Sequence, residues 1–255
     1  MADDTSIGAG SGKFPATRWS AVLAARSGDP AERSRALEAI VAAYWKPVYK
    51  YIRIRWSKSN EDAKDLTQEL FVRVIEKGTL DGFNPAKARL RTFLRVCVDH
   101  LVANDAKSAK RLKRGGEAVH LSLDFPAAEA ELAHANVSAL AGASPETIED
   151  FLEKEFIRSL FALAVEHLRQ LCEQRGKQVH FRLFQIYDLE ERGAERPGYA
   201  ELAVKFKIAA TDVTNHLAFA RREFRRIALE KLRQMTASDQ EFRREARALL
   251  GVEPE

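Results

Sequence analysis

Two cysteines stand in 255 residues, Cys97 and Cys172, and neither belongs to a Cys-x-x-Cys or Cys/His spacing. That excludes a disulfide framework or a zinc module as the organising principle and leaves buried free thiols in a reducing compartment as the expectation. No apolar run reaches the roughly 18 residues of a membrane span. The opening residues are small and acidic rather than a cationic leader followed by an apolar block, so a cytoplasmic protein without a membrane partner is expected. The six histidines are scattered, with no nucleophile and base at a telling spacing. Catalytic residues, metal and cofactor are therefore all expected to be none. Charge of one sign is scarce too: 41 Lys+Arg against 37 Asp+Glu give a net +4 and a pI ≈ 9.0. With so small an excess, local clustering carries more meaning than the total.

What is present is helix-forming sequence with few interruptions. Residues 1–13 are small, polar and glycine-rich, which predicts a disordered tail. Within it, Gly8 to Lys13 imitates a phosphate loop, but Ile7 stands where that motif needs Gly, Phe14 where it needs Ser or Thr, and Pro15 follows. Thr17 is a candidate cap for a short helix with Trp19, Val22 and Leu23 inward. Asp29-Pro30 is a cap and first turn for the next helix, whose stripe is Leu37, Ile40, Val41 and Tyr44. Pro47 should interrupt or kink it before Val48, Tyr49 and Ile52 continue.

Residues 60–114 are the most informative stretch. One helix has Asp62, Asp65, Gln68 and Glu69 on a polar side and Leu66, Leu70, Phe71, Val74 and Ile75 as the buried stripe. Gly78, Gly82, Asn84 and Pro85 then break the pattern. A second helix sets Arg89, Arg91, Arg95, Lys107, Lys110, Arg111, Lys113 and Arg114 around Leu90, Phe93, Leu94, Cys97, Val98, Leu101 and Val102. An acidic protein-docking face thus lies next to a basic nucleic-acid face.

Residues 116–144 turn to Ala, Ser, Glu and Pro, which predicts a flexible linker with a helical turn near 127–133. Ser144-Pro145-Glu146 opens a long amphipathic helix with Leu152, Phe156, Leu160, Phe161, Ala164, Leu168 and Leu171 inward, and Gly176 as its stop. A further helix buries Val179, Leu183, Phe184, Ile186 and Tyr187. The last segment has the pattern of a helix-turn-helix, in which Leu202, Ala203, Ile208, Val213 and Leu217 form the small core that locks two short helices. Thr214, Asn215 and His216 are best placed to reach base edges, Asp212 could accept from cytosine, and Arg221 and Arg222 would lie along phosphates. Ala209 is a poor cap, which moves the expected helix start to Thr211.

Residues 14–230 resemble a bacterial RNA polymerase sigma factor of the extracytoplasmic-function (ECF) type. The resemblance is carried by Asp62 through Glu69 with Phe71, by Phe83-Asn84-Pro85 through Arg91-Thr92-Phe93-Leu94, and by the terminal helix-turn-helix with its arginines. Phe14 to Ser20 and Lys113 to Gly116 resemble a subgroup of that family. The resemblance implies an all-α fold of two helical domains joined by a flexible linker: region 2 at 14–115, the linker at 116–144, region 4 at 145–235, and an extension at 236–255. It implies that Asp62, Asp65, Gln68 and Glu69 dock on core RNA polymerase, and that Asn84, Arg89, Arg91, Thr92, Arg95, Asn104 and Lys107 meet the minus-ten element. Asp212, Thr214, Asn215, His216, Arg221 and Arg222 would meet the minus-thirty-five element.

Three departures from the family pattern involve four positions. Lys64 replaces an acid on the docking face, and phosphorylation of Thr67 by a Ser/Thr kinase would restore the charge. Ala88 and Leu90 replace a glycine and an aromatic before Arg91, and Ala209 weakens the second helix start. An anti-sigma factor is a usual partner of the family. A stand-alone helix-turn-helix regulator that binds DNA without polymerase is the alternative reading.

Overall fold

The computed structural model describes residues 21–76, 78–108, 121–134, 144–190 and 197–253, with side chains of the fourth helix described as far as Asn104. Among these residues every regular element is helical, as the all-α expectation requires. The Gly8 to Lys13 stretch, Thr17, Trp19, the basic residues 110–114 and the boundary at Gly115-Gly116 lie outside the described residues.

Helix α1 (Ala21–Ala24) buries Ala21 and Val22 against α2 (Pro30–Arg55). Asp29 caps α2 by accepting from the Ala31 amide at 3.0 Å, with Pro30 in the first turn. The interruption expected at Pro47 is absent: α2 runs through it as one helix. Buried Ala43, Tyr44, Val48 and Tyr49 on both sides hold the helix where the lost hydrogen bond would break it. Helices α3 (Asn60–Glu76) and α4 (Leu90–Ser108) pack on α2 through the predicted stripes, and Ile40, Ile52, Phe71, Leu94 and Val98 become almost wholly inaccessible.

The described part of the expected linker is a docked helix, α5 (Phe125–His134). Phe125, Ala128 and Leu132 recur at helical spacing and are buried, with the Phe125 ring 5.5 Å from Trp45 and 5.2 Å from Tyr49. Charges complete the seam, Lys46 and Lys50 each lying 2.7 Å from Glu131 and Arg53 lying 2.6 Å from Glu129. The hydrogen bond from Arg53 holds the Glu129 carboxyl below its ordinary range.

Ser144 caps α6 (Pro145–Gln174), and this helix serves two cores. Ile148, Phe151, Leu152 and Phe156 complete the first core, whereas Ala164, Leu168 and Cys172 begin the second. Gly176, at φ +64, ends it with a left-handed residue. The second core is closed by α7 (Gln178–Phe184), α8 (Tyr199–Phe206) and α9 (Ala210–Gln234). Val179, expected inward, is 38% exposed in the first turn of α7. The final helix, α10 (Asp239–Leu250), lays Phe242 and Ala246 on Leu160 of α6 and Leu232 of α9. Among the described residues, no helix is long and apolar enough to cross a membrane.

Candidate functional site

The polar side of α3 is built as the sequence suggests. The Ser59 hydroxyl accepts from the Asp62 amide at 3.1 Å and donates to its carboxylate at 2.8 Å, fixing the first turn. Asp62, Asp65 and Glu69 are exposed, and Gln68 is half-buried beside them. Two cations dilute this face: Lys64 lies 2.8 Å from Glu61, and Arg73 pairs with Glu69. Thr67 is fully buried and donates its hydroxyl to the Ala63 carbonyl at 2.7 Å. The helix stripe places residue 67 between Ala63 and Phe71 on the packed side, so a kinase reaches the hydroxyl only after α3 is displaced.

Between α3 and α4 the chain makes a 3-10 turn (Thr79–Gly82) that opens with Gly78 at φ +60, where a Cβ would lie 2.4 Å from the Asp81 carboxylate. Arg26 clamps this turn by donating to the Leu80 and Phe83 carbonyls. Asn84 is exposed, its side-chain oxygen accepting from the Ala86 amide at 2.9 Å. Phe93 packs on Phe83 at 5.3 Å and is partly buried against the first core.

Arg89, just before α4, and Arg91 and Arg95 within it do not point freely into solvent. Arg91 is 9% exposed and donates to Glu245 at 2.9 Å and to Glu153 at 3.2 Å. Arg89 lies 3.1 Å from Glu245, and Arg95 lies 3.0 Å from Glu149. Three carboxylates from α6 and α10 therefore cover the three arginines expected to hold DNA. Sequence reasoning singled out none of these acids, although Glu149 and Glu153 share the i,i+4 spacing of Arg91 and Arg95. Thr92 is half-buried and Asn104 exposed. The side chain of Lys107 lies outside the described residues.

In the second core, α8 and α9 are joined through Lys207, a left-handed residue at φ 55. Helix α9 starts at Ala210, one residue earlier than Thr211, because the Asp212 carboxylate reaches back to the Ala209 amide at 3.4 Å. Asp212 is thus engaged in capping. Thr214 and Asn215 are exposed, and Arg222 projects with 69% of its side chain accessible. Arg221 instead makes two 2.9 Å bonds to Asp188, while His216 packs edge-on against His180 with centroids 3.7 Å apart.

That histidine contact has a pH signature. Burial first, and then the charges of His216 and Lys177, push His180 down to about 4 from an ordinary 6.5. A histidine harder to protonate when folded stabilises fully above the unfolded value, and that stability is lost as pH falls from 6.5 toward 4. Urea midpoints measured across this window should decline, and His180→Gln should flatten the decline. An unchanged slope in the variant would show that other groups produce it.

Residues 40–112 match the family model described as Sigma-70 region 2. The matched stretch contains most of α2, the whole of α3, the Asn84 turn and α4. No curated protein and no solved structure gives a significant match. The matched residues are those that set the acidic face of α3 beside the arginines of α4. Residues 40–112 are therefore similar to sigma-70 region 2, which supports a sigma-70 family factor.

Proposed function

We propose that this protein is a sigma factor of the ECF type, which binds core polymerase in the cytoplasm and directs initiation at promoters with minus-ten and minus-thirty-five elements. Asp62, Asp65, Gln68 and Glu69 dock on the polymerase. Asn84, Arg89, Arg91, Thr92, Arg95, Asn104 and Lys107 meet the minus-ten element. Flipped bases received there and stacked on the protein offset the cost of opening the duplex, at roughly 1–3 kcal/mol per stacked base. On this reading residues 14–115 act as region 2 and 145–235 as region 4, with α9 entering the major groove. Thr214, Asn215 and Arg222 are the exposed residues that support that placement. Asp212, His216 and Arg221 would act there only after leaving their present partners.

The observation that carries the reading is the juxtaposition, inside the matched region, of an exposed acidic helix face and an arginine-bearing helix across a fixed turn. The test is run-off transcription with purified core enzyme over a promoter library, alongside core-binding measurements. The wild-type chain should direct transcription, and Asp62→Lys with Asp65→Lys should weaken core binding about tenfold, equivalent to about 1.4 kcal/mol. Duplex binding without any association with core enzyme would replace this reading with a stand-alone regulator.

A further inference from the structure

We propose that α10 is an intramolecular competitor for promoter DNA: in the free chain the Glu245 carboxylate occupies the guanidinium groups of Arg89 and Arg91 where a DNA phosphate would otherwise sit. The inference rests on the reading that the α4 arginines hold the minus-ten backbone.

The geometry is that of an anion site already filled. Glu245 places one carboxylate oxygen 2.9 Å from Arg91 and the other 3.1 Å from Arg89, and only 2% of its side chain is accessible. Glu153 adds a second carboxylate 3.2 Å from Arg91. A guanidinium accepts phosphate and carboxylate through the same planar fork of donors, so the two anions compete for one set of N–H groups. With Arg91 buried beneath α6 and α10, a phosphate reaches it only after one of these helices moves.

The packing indicates which helix moves. The first half of α6 is fixed in the first core by Ile148, Phe151, Leu152 and Phe156. Helix α10 has fewer fully buried apolar anchors: Phe242 and Ala246 share a small cluster with Leu160 and Leu232, while Leu249 and Leu250 are only partly buried, and Arg233 adds its contact with the Phe242 ring and its pairing with Asp239 at the helix start. Residues 235–238 join it to α9 outside any helix, so it can leave without breaking α9. The closed arrangement therefore lowers the apparent DNA affinity by the fraction of molecules that are open, and DNA or polymerase binding draws the population toward the open one.

The experiment measures binding of the full chain to a fluorescent single-stranded oligonucleotide at fixed salt. Glu245→Gln, which keeps the shape and removes the charge, should bind roughly tenfold tighter than wild type. Adding Arg91→Ala should abolish that gain. If Glu245→Gln leaves affinity unchanged while Arg89→Ala and Arg91→Ala weaken binding, the competitor is refuted and the DNA-binding role of α4 stands. If neither arginine variant alters binding, both fall. Hydrogen exchange on the wild-type chain needs no variant to fold: α10 amides should be protected in the free protein and lose protection with DNA bound. Unchanged protection in the complex would overturn the proposal.

Discussion

Phe156→Ala is expected to cost about 3–5 kcal/mol of stability, a large share of the roughly 5–15 kcal/mol that holds a typical domain together. Phe156 is 1% exposed at the point where α6 leaves the first core for the second. Its ring stacks on Tyr44 at 5.0 Å and 15°, and the Arg91 guanidinium sits 5.5 Å from its face. Truncation removes the buried ring, leaves a cavity between α2 and α6, and strips a π face from a buried cation. Phe156→Leu refills most of the volume and should recover most of the loss, apart from the stacking contribution of about 0.5–1.5 kcal/mol. Equilibrium urea unfolding checks both variants. A loss under about 1 kcal/mol for the alanine variant would mean that α6 is only loosely attached to the first core.

The residues around Phe156 mark where the sequence stops being informative. Its place on an apolar stripe is readable, because helical periodicity identifies the face that must be covered. Periodicity does not say what covers it, and the stripe from Leu152 to Leu171 reads equally well as one face of one domain. Only the fold shows that Phe156 faces α2 while Leu168 faces the second core. Local signals fared better: Asp29-Pro30 and Ser144-Pro145 mark helix starts, and both side chains cap as their chemistry suggests. Residues 125–134 hold more than the helical turn expected near 127–133, because Phe125, Ala128 and Leu132 keep helical spacing inside a composition that otherwise reads as linker.

The candidate site divides along the same line. The exposed acids of α3 were readable because exposure there follows from the stripe on the opposite side. The fate of the α4 arginines was not. A charged residue on a helix is compatible with water, a phosphate or a carboxylate, and the carboxylate that takes Arg91 lies 154 residues away in sequence. Thr67 makes the converse point: a hydroxyl close to a functional face in sequence can still project to the packed side, where it bonds to Ala63 and is sealed.

The seam between α2, α5 and α6 converges on a single cation, and its removal should be nearly as damaging as the loss of Phe156. Lys50 is 3% exposed, with its ammonium 2.5 Å from Glu155 and 2.7 Å from Glu131. Glu155 is equally buried and, among the described residues, pairs otherwise with Arg158. Lys50→Met preserves the stem but leaves the Glu155 charge poorly compensated away from water, for an expected loss of about 3–5 kcal/mol. The pair as a whole is worth far less, because bringing both charges out of water costs nearly as much as their attraction returns. Combining Lys50→Met with Glu155→Leu should therefore restore most of the stability lost in the single variant. A double-mutant cycle by urea unfolding separates the contributions. If the double variant is no more stable than Lys50→Met alone, the damage comes from the packing of the lysine stem, and the buried charge is not its source.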